Sequence, residues 1–341
     1  MRFSLYFPIL LLVVLISSCN SSPLDVDVRG VELNYRSERF DRDFFKTHQN
    51  DGEHADQVLY QKYGQFYVDY LEFILRLGPF GERSTAEMCQ SFLSDEAILD
   101  AYDQIQLVHD PLISDYDKGF QDAFRHHKYY FPKETIPEVV YYHSGFNFGI
   151  YPTDSLLAVG LEFYLGPNNE LVQQLPGDVF PQYFREKMRP DYLVSDAVRG
   201  WLLVKHQHTF DDSNLLGHLI YYGKVMYLVD AMMPDVEDSI KMNYRSDQMA
   251  WVIKNEPLIW RELAQQTVMF DTRVFEINKW LMDGPFTNAQ NVPQDSPPRL
   301  GIWMGRQIIH DYMAANPDLT LDDLLSEENN QLILKFYDPR H

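Results

Sequence analysis

Three histidines lie close along the chain, His206 and His208 two positions apart and His218 at the start of the next apolar run. Imidazoles are common metal ligands, but a zinc centre needs three or four ligands held in firm geometry. Two loop histidines and one on the next helix do not by themselves fix that geometry, so the expectation is solvated loop histidines. His126 and His127 are adjacent, and neighbours on a helix point in different directions, so this pair reads as exposed polar surface. The chain contains no HExxH, no GxSxG, no Walker-type phosphate loop and no GxGxxG. Asp25, Asp27 and the later aspartate pairs lack the alternating oxygens, glycine and distal glutamate of a calcium loop. A third polar signal is a lysine, Lys224, inside the most apolar stretch of the chain.

That stretch is the element around which the others must pack. Leu215, Leu219, Tyr222, Met226, Val229 and Met233 recur at helical spacing, and Leu216, Ile220, Val225, Tyr227, Leu228 and Met232 fill the other faces. A helix apolar all round is buried. Ser213 or Asp212 is placed to cap it and Pro234 to stop it. His218, Lys224 and Asp230 interrupt it, and Lys224 lies opposite the Leu215–Met233 stripe.

Around this helix the pattern alternates between helical and strand-like stretches. Helices are expected over 57–77, ended by Gly78-Pro79, from Ser94-Asp95-Glu96 to His109, over 115–130, over a short piece from Pro181 and over 191–205. Further helices are expected over 244–270 with a break at Asn255-Glu256-Pro257, over 300–315, and from the Thr320-Leu321-Asp322-Asp323 near capping box. Gly301 and Gly305, four apart, suit a close helix contact. Val31–Tyr35, Pro137–His143 and Ser155–Gly166 carry strand signals, the last two reading as antiparallel neighbours. The fold class expected is α+β, a mainly helical single domain over 31–341 with a small antiparallel sheet.

The first residues carry an address. One arginine, an apolar run from Leu5 to Ile16, and Ile16-Ser17-Ser18-Cys19 form a signal peptide over 1–18 with a lipobox-like end. Cys19 is then the lipid attachment point, and residues 19–30 read as anchor and tether to a membrane that the chain does not span. Asn20, not an acid, follows the cysteine, which favours the outer membrane, facing the periplasm, over the inner. With Cys19 taken up by lipid, Cys89 has no intrachain disulfide partner. The 341 residues carry a net charge of −21, which argues against nucleic acid as a partner.

Several phrases in order resemble the gliding-motility lipoprotein GldB family. They are the lipobox ending at Cys19, Arg39-Phe40-Asp41, Gly160-Leu161-Glu162-Phe163-Tyr164-Leu165-Gly166, Tyr221 through Leu228, Trp251 with Asn255-Glu256 and Trp260, Ser296-Pro297 with Arg299, and the helix from Gly301 to Tyr312. The resemblance implies an acylated (palmitate-bearing) envelope lipoprotein that works with other gliding motility or secretion components and has no known reaction or cofactor.

That family is also similar, distantly, to zinc peptidase-like proteins. The comparison places the HExxH slot at Asp196-Ala197-Val198-Arg199-Gly200 and the glutamate-ligand slot at Tyr222, so a degenerate zincin-like scaffold without zinc ligands, a pseudoenzyme, is implied. Lys224 would then point toward the vacated site, with Asp196 as its partner in a buried ion pair. The competing expectation is an envelope hydrolase with an unrecognised metal or acid/base site built from Asp196, His206, His208 and His218.

Overall fold

The computed structural model describes residues 23–50, 54–211 and 213–339. Cys19, the signal peptide and Asp212 lie outside them. Helices are numbered only where they frame the site.

A four-stranded sheet divides the molecule. Its strands are β1 (Ser37–Arg39), β2 (Glu138–Tyr142), β3 (Ile150–Pro152) and β4 (Leu156–Gly160), in the order β1-β2-β4-β3. Alternate residues of a strand face opposite sides. Val139, Tyr141, Leu157 and Val159 accordingly enter one core, and Val140, Tyr142 and Ala158 the other.

The fold class stands, but the strand directions correct the antiparallel expectation. β2 pairs with β4 in parallel, and only β3 is antiparallel to β4. The passage after β2 crosses to the sheet edge, forms β3 and turns back at Pro152-Thr153-Asp154, so β4 enters beside β2 in the same direction. β4 also stops at Gly160, where a 3-10 turn (Leu161–Tyr164) takes over. Val31–Tyr35 pairs with nothing regular; the first strand lies just beyond it.

The smaller core belongs to the first part of the chain. Helix α1 (Phe40–Asn50) contributes Phe40, Phe44 and Phe45. The single helix expected over 57–77 is broken at Gly64, whose φ of 54° is left-handed, into Ala55–Tyr63 and Gln65–Asp69, followed by a π turn over Tyr70–Ile74. Helix α2 (Glu96–His109) is capped as expected, the Asp95 carboxylate accepting from the Ala97 and Ile98 amides at 3.0 and 3.1 Å. The Arg39-Phe40-Asp41 phrase joins these elements. Arg39 holds the buried Asp41 at 2.6 Å and reaches Asp110 at 2.8 Å.

The larger core surrounds α5. Helix α3 (Ile113–Tyr130), α4 (Leu193–Lys205), α6 (Leu300–Ala315) and α7 (Leu321–Ser326) all touch α5 (Leu215–Met232). Helix α5 is buried on every face, as its sequence requires. Its cap is Asn214, whose Oδ1 accepts from the Gly217 amide at 3.2 Å, and not Ser213. Helices α5 and α6 meet backbone to backbone. A Cβ at Gly223 would overlap the Gly305 carbonyl, and a Cβ at Gly305 the Leu219 carbonyl. Gly301 does the same against Leu219 and Leu281 side chains, so the glycine pair serves the close contact expected of it.

The segment read as a tether is in part core. Leu24 is 6% exposed and packs with α3, where the Tyr130 hydroxyl donates to its carbonyl at 3.4 Å.

Candidate functional site

Lys224 is buried, 4% exposed, on the side of α5 that faces α7 and the segment after it. Its Nζ donates to the Glu327 backbone carbonyl at 2.6 Å. Burial lowers its ammonium to about 8, and the nearby Glu327 and Glu328 charges offset only part of that.

The ion pair expected between Lys224 and Asp196 does not form. Asp196 lies in the first turn of α4, where its carboxylate accepts from Arg199 at 2.6 Å and from Asn243 at 3.0 and 3.1 Å. Arg199 is one turn along the same helix and therefore on the same face as Asp196. Asn243 is held beside it in a left-handed conformation, φ 55°. These local partners satisfy the acid, and Lys224 finds a carbonyl more than a hundred residues along the chain.

Tyr222, next to Gly223, lines a small cavity with Arg199, Met226, Met242 and Arg299. Arg199 and Tyr222 thus share one cavity, which presents guanidinium and phenol groups among apolar side chains.

Lys224 lines a groove of about 670 Å³. From α5 come Gly217, Ile220 and Tyr221 beside it. The turn after α4 adds His206, His208 and Asp211. Asp322 of α7, then Glu327, Glu328 and Asn330, complete most of the lining, with Glu134.

Of the hydrolase set, His206 and His208 share this groove, with rings 6.1 Å apart. His206 is 4% exposed, contrary to the expectation of a solvated ring, and burial lowers it to about 4. His208 is exposed. His218 stands half-buried with its ring 4.8 Å from that of Phe210. Asp196 lies in the first turn of α4 and His206 just past its last residue, about 15 Å of helix rise away, so the structure does not gather the four residues. Among the described residues no group of three or more His, Cys, Asp or Glu is placed to hold a metal.

The His126-His127 pair is also buried, at 7% and 0% exposure. His127 packs edge-on against Trp201 and lies 3.1 Å from Glu134, which Lys205 holds at 2.9 Å. A helix can bury two adjacent residues where elements close on both of its sides, and α3 is so placed between the sheet and α4.

Two polar clusters escaped sequence reasoning. Asp230 on α5 is 3% exposed and takes Arg306 at 2.7 and 3.0 Å, Lys241 at 2.7 Å and His310 at 2.7 Å, while Asp238 also holds Arg306 and Lys241. The Arg306 and Lys241 charges and the hydrogen bonds from Arg306 and His310 hold the Asp230 carboxyl well below the usual range despite its burial. The signal was available: Asp230 interrupts the same helix as Lys224, and Arg306 and His310 are four apart on α6, one face of that helix.

The second cluster is Glu162, fully buried, which accepts from the Ser144 amide at 2.7 Å, the Ser144 hydroxyl at 2.5 Å and the Phe146 amide at 3.2 Å, with His143 Nδ1 at 3.6 Å. Here a carboxylate organises the loop at the end of β2. The Ser144 hydroxyl lies within hydrogen-bond distance of both the Glu162 carboxylate and the Phe148 carbonyl, and the His143 ring lies beside the carboxylate and not beside the serine hydroxyl.

The chain matches the family described as Gliding motility protein GldB over residues 21–339. It therefore belongs to that family, and the resemblance carried by the sequence phrases is confirmed at this level. No curated protein and no solved structure matches it. Among the described residues no helix is long and apolar enough to cross a membrane.

Proposed function

We propose that this chain is a lipid-anchored cell-envelope protein acting as a non-catalytic structural or interaction component of the gliding motility machinery. The family match across nearly the whole chain carries the reading. The lipobox-like Ile16-Ser17-Ser18-Cys19 supports attachment through acylated Cys19, on a periplasm-facing surface of the outer membrane. Its partners are other motility or secretion proteins of the envelope.

The non-catalytic part rests on residue types. Zinc hydrolysis needs three protein ligands and an activated water. A zincin-like frame would carry them where this chain has Asp196, Ala197, Val198, Arg199, Gly200 and Tyr222. Asp196 is committed to Arg199 and Asn243.

Cross-linking in envelopes followed by affinity purification tests the interaction role. Recovery of motility or secretion proteins is expected, and their absence above background overturns it. Replacing Cys19→Ala should abolish palmitate labelling and release the protein from membranes. Stoichiometric zinc in purified protein, lost in His206→Ala or His208→Ala, would overturn the non-catalytic reading.

A further inference from the structure

The Lys224 groove has a charge pattern that neither a plain cation nor a plain anion fits. Glu134, Asp211, Asp322, Glu327 and Glu328 line it, and they repel an anion. The same groove presents a buried lysine that repels a cation. An ammonium has three N–H donors, and among the described residues Lys224 has one acceptor, the Glu327 carbonyl. Buried donors left unmatched are costly, so Lys224 favours an occupant that brings hydrogen-bond acceptors of its own. The volume, about 670 Å³, lies within the range of small-ligand sites, and the lining is polar.

We propose that this groove binds a short peptide with both ends free, its carboxylate on Lys224 and its ammonium among the acids led by Glu328. A zwitterion answers the lysine and the acids together, each charge lying against its opposite. The spare Lys224 donors make charge-assisted bonds to the carboxylate, stronger than neutral ones. Glu328 is exposed and Glu327 half-buried, so the ammonium binds where water still screens it. The site is separate from the Asp196 cluster and goes beyond the motility role without resting on it. Two sources supply this chemistry, free L-peptides released by proteolysis and free peptides containing D-amino acids released from a cell wall.

The full-length protein in detergent is titrated by calorimetry with trialanine in its L and D forms, with N-acetyl-L-trialanine and with L-trialanine amide. Binding of either free-ended enantiomer is expected, and the preferred hand names the source. Blocking either end should weaken binding by about tenfold or more. In Lys224→Met the free peptide should fall to the affinity of the amide, whereas amide binding is unchanged. In Glu328→Gln, an exposed position that leaves the fold intact, the free peptide should fall toward the affinity of the acetylated one. No binding of either enantiomer at about 10 mM, equal binding of free and blocked peptides, or unaltered binding in both variants would overturn the proposal.

Discussion

Lys224 is a buried base, and its protonation is linked to folding. Its ammonium falls from an ordinary value of 10.5 to about 8 in the folded protein. Between those values the unfolded chain binds more protons than the folded one, so this residue's contribution to stability rises with pH across that window. Below pH 8 its burial costs about 3 kcal/mol. Lys224→Met removes that cost and gives up one charge-assisted hydrogen bond of about 1.5–2 kcal/mol. The variant should therefore gain about 1–2 kcal/mol at pH 7 in urea denaturation, with the gain shrinking by pH 10. A loss of stability at pH 7 would show that the lysine is better solvated than its burial implies.

Asp230 behaves in the opposite sense. Arg306 and its other cations depress its carboxyl, so its contribution is present above the ordinary carboxylate value of 3.8 and is lost as pH falls below it. Asp230→Asn leaves Arg306 and Lys241 buried with less compensation, and thermal unfolding should show a loss of about 3–5 kcal/mol. The sequence announced that Lys224 and Asp230 would be buried, because both interrupt an apolar helix. It did not announce the partners. A backbone carbonyl has no side-chain signature, and the Arg306 pairing depends on how two helices cross.

At the scale of elements, the α5–α6 contact is the most specific. Gly223→Ala places a methyl against the Gly305 carbonyl and the Ile309 side chain, the latter at 2.9 Å, and relief requires the helices to separate. The substitution should cost about 3 kcal/mol or more. Gly177→Ala, whose added methyl meets nothing within 4 Å, should be close to neutral in the same thermal melts. Both helices were legible in the sequence, and for α6 the expected ends are the observed ones. Long periodic runs leave little freedom. Strand direction was not legible, because Val139–Tyr142 and Leu157–Val159 carry the same alternation whichever way they run. The edge strand that decides the matter hides in a glycine-rich passage. The Gln57–Leu77 periodicity continued across Gly64, where a left-handed turn re-aims the chain without disturbing the apolar spacing. The groove was illegible for another reason: its histidines, lysine and acids come from separate elements and meet only when α7 docks.

For the whole molecule, a net charge of −21 is self-repelling, and salt screens such repulsion. Raising NaCl from about 10 to about 200 mM shortens the Debye length roughly fourfold, so the melting temperature should rise. A fall would mean that the ion-pair clusters at Asp41 and Asp230 outweigh the general repulsion. The burial of Leu24 sets another property at this scale. Cys19 is five residues before a side chain pinned in the core, and five residues reach at most about 18 Å. If Cys19 carries acyl chains as proposed, the body would not roam above the bilayer. The end of α3 where Leu24 docks would then stay near the lipid headgroups, which would limit which faces of the protein point away from the membrane toward a partner.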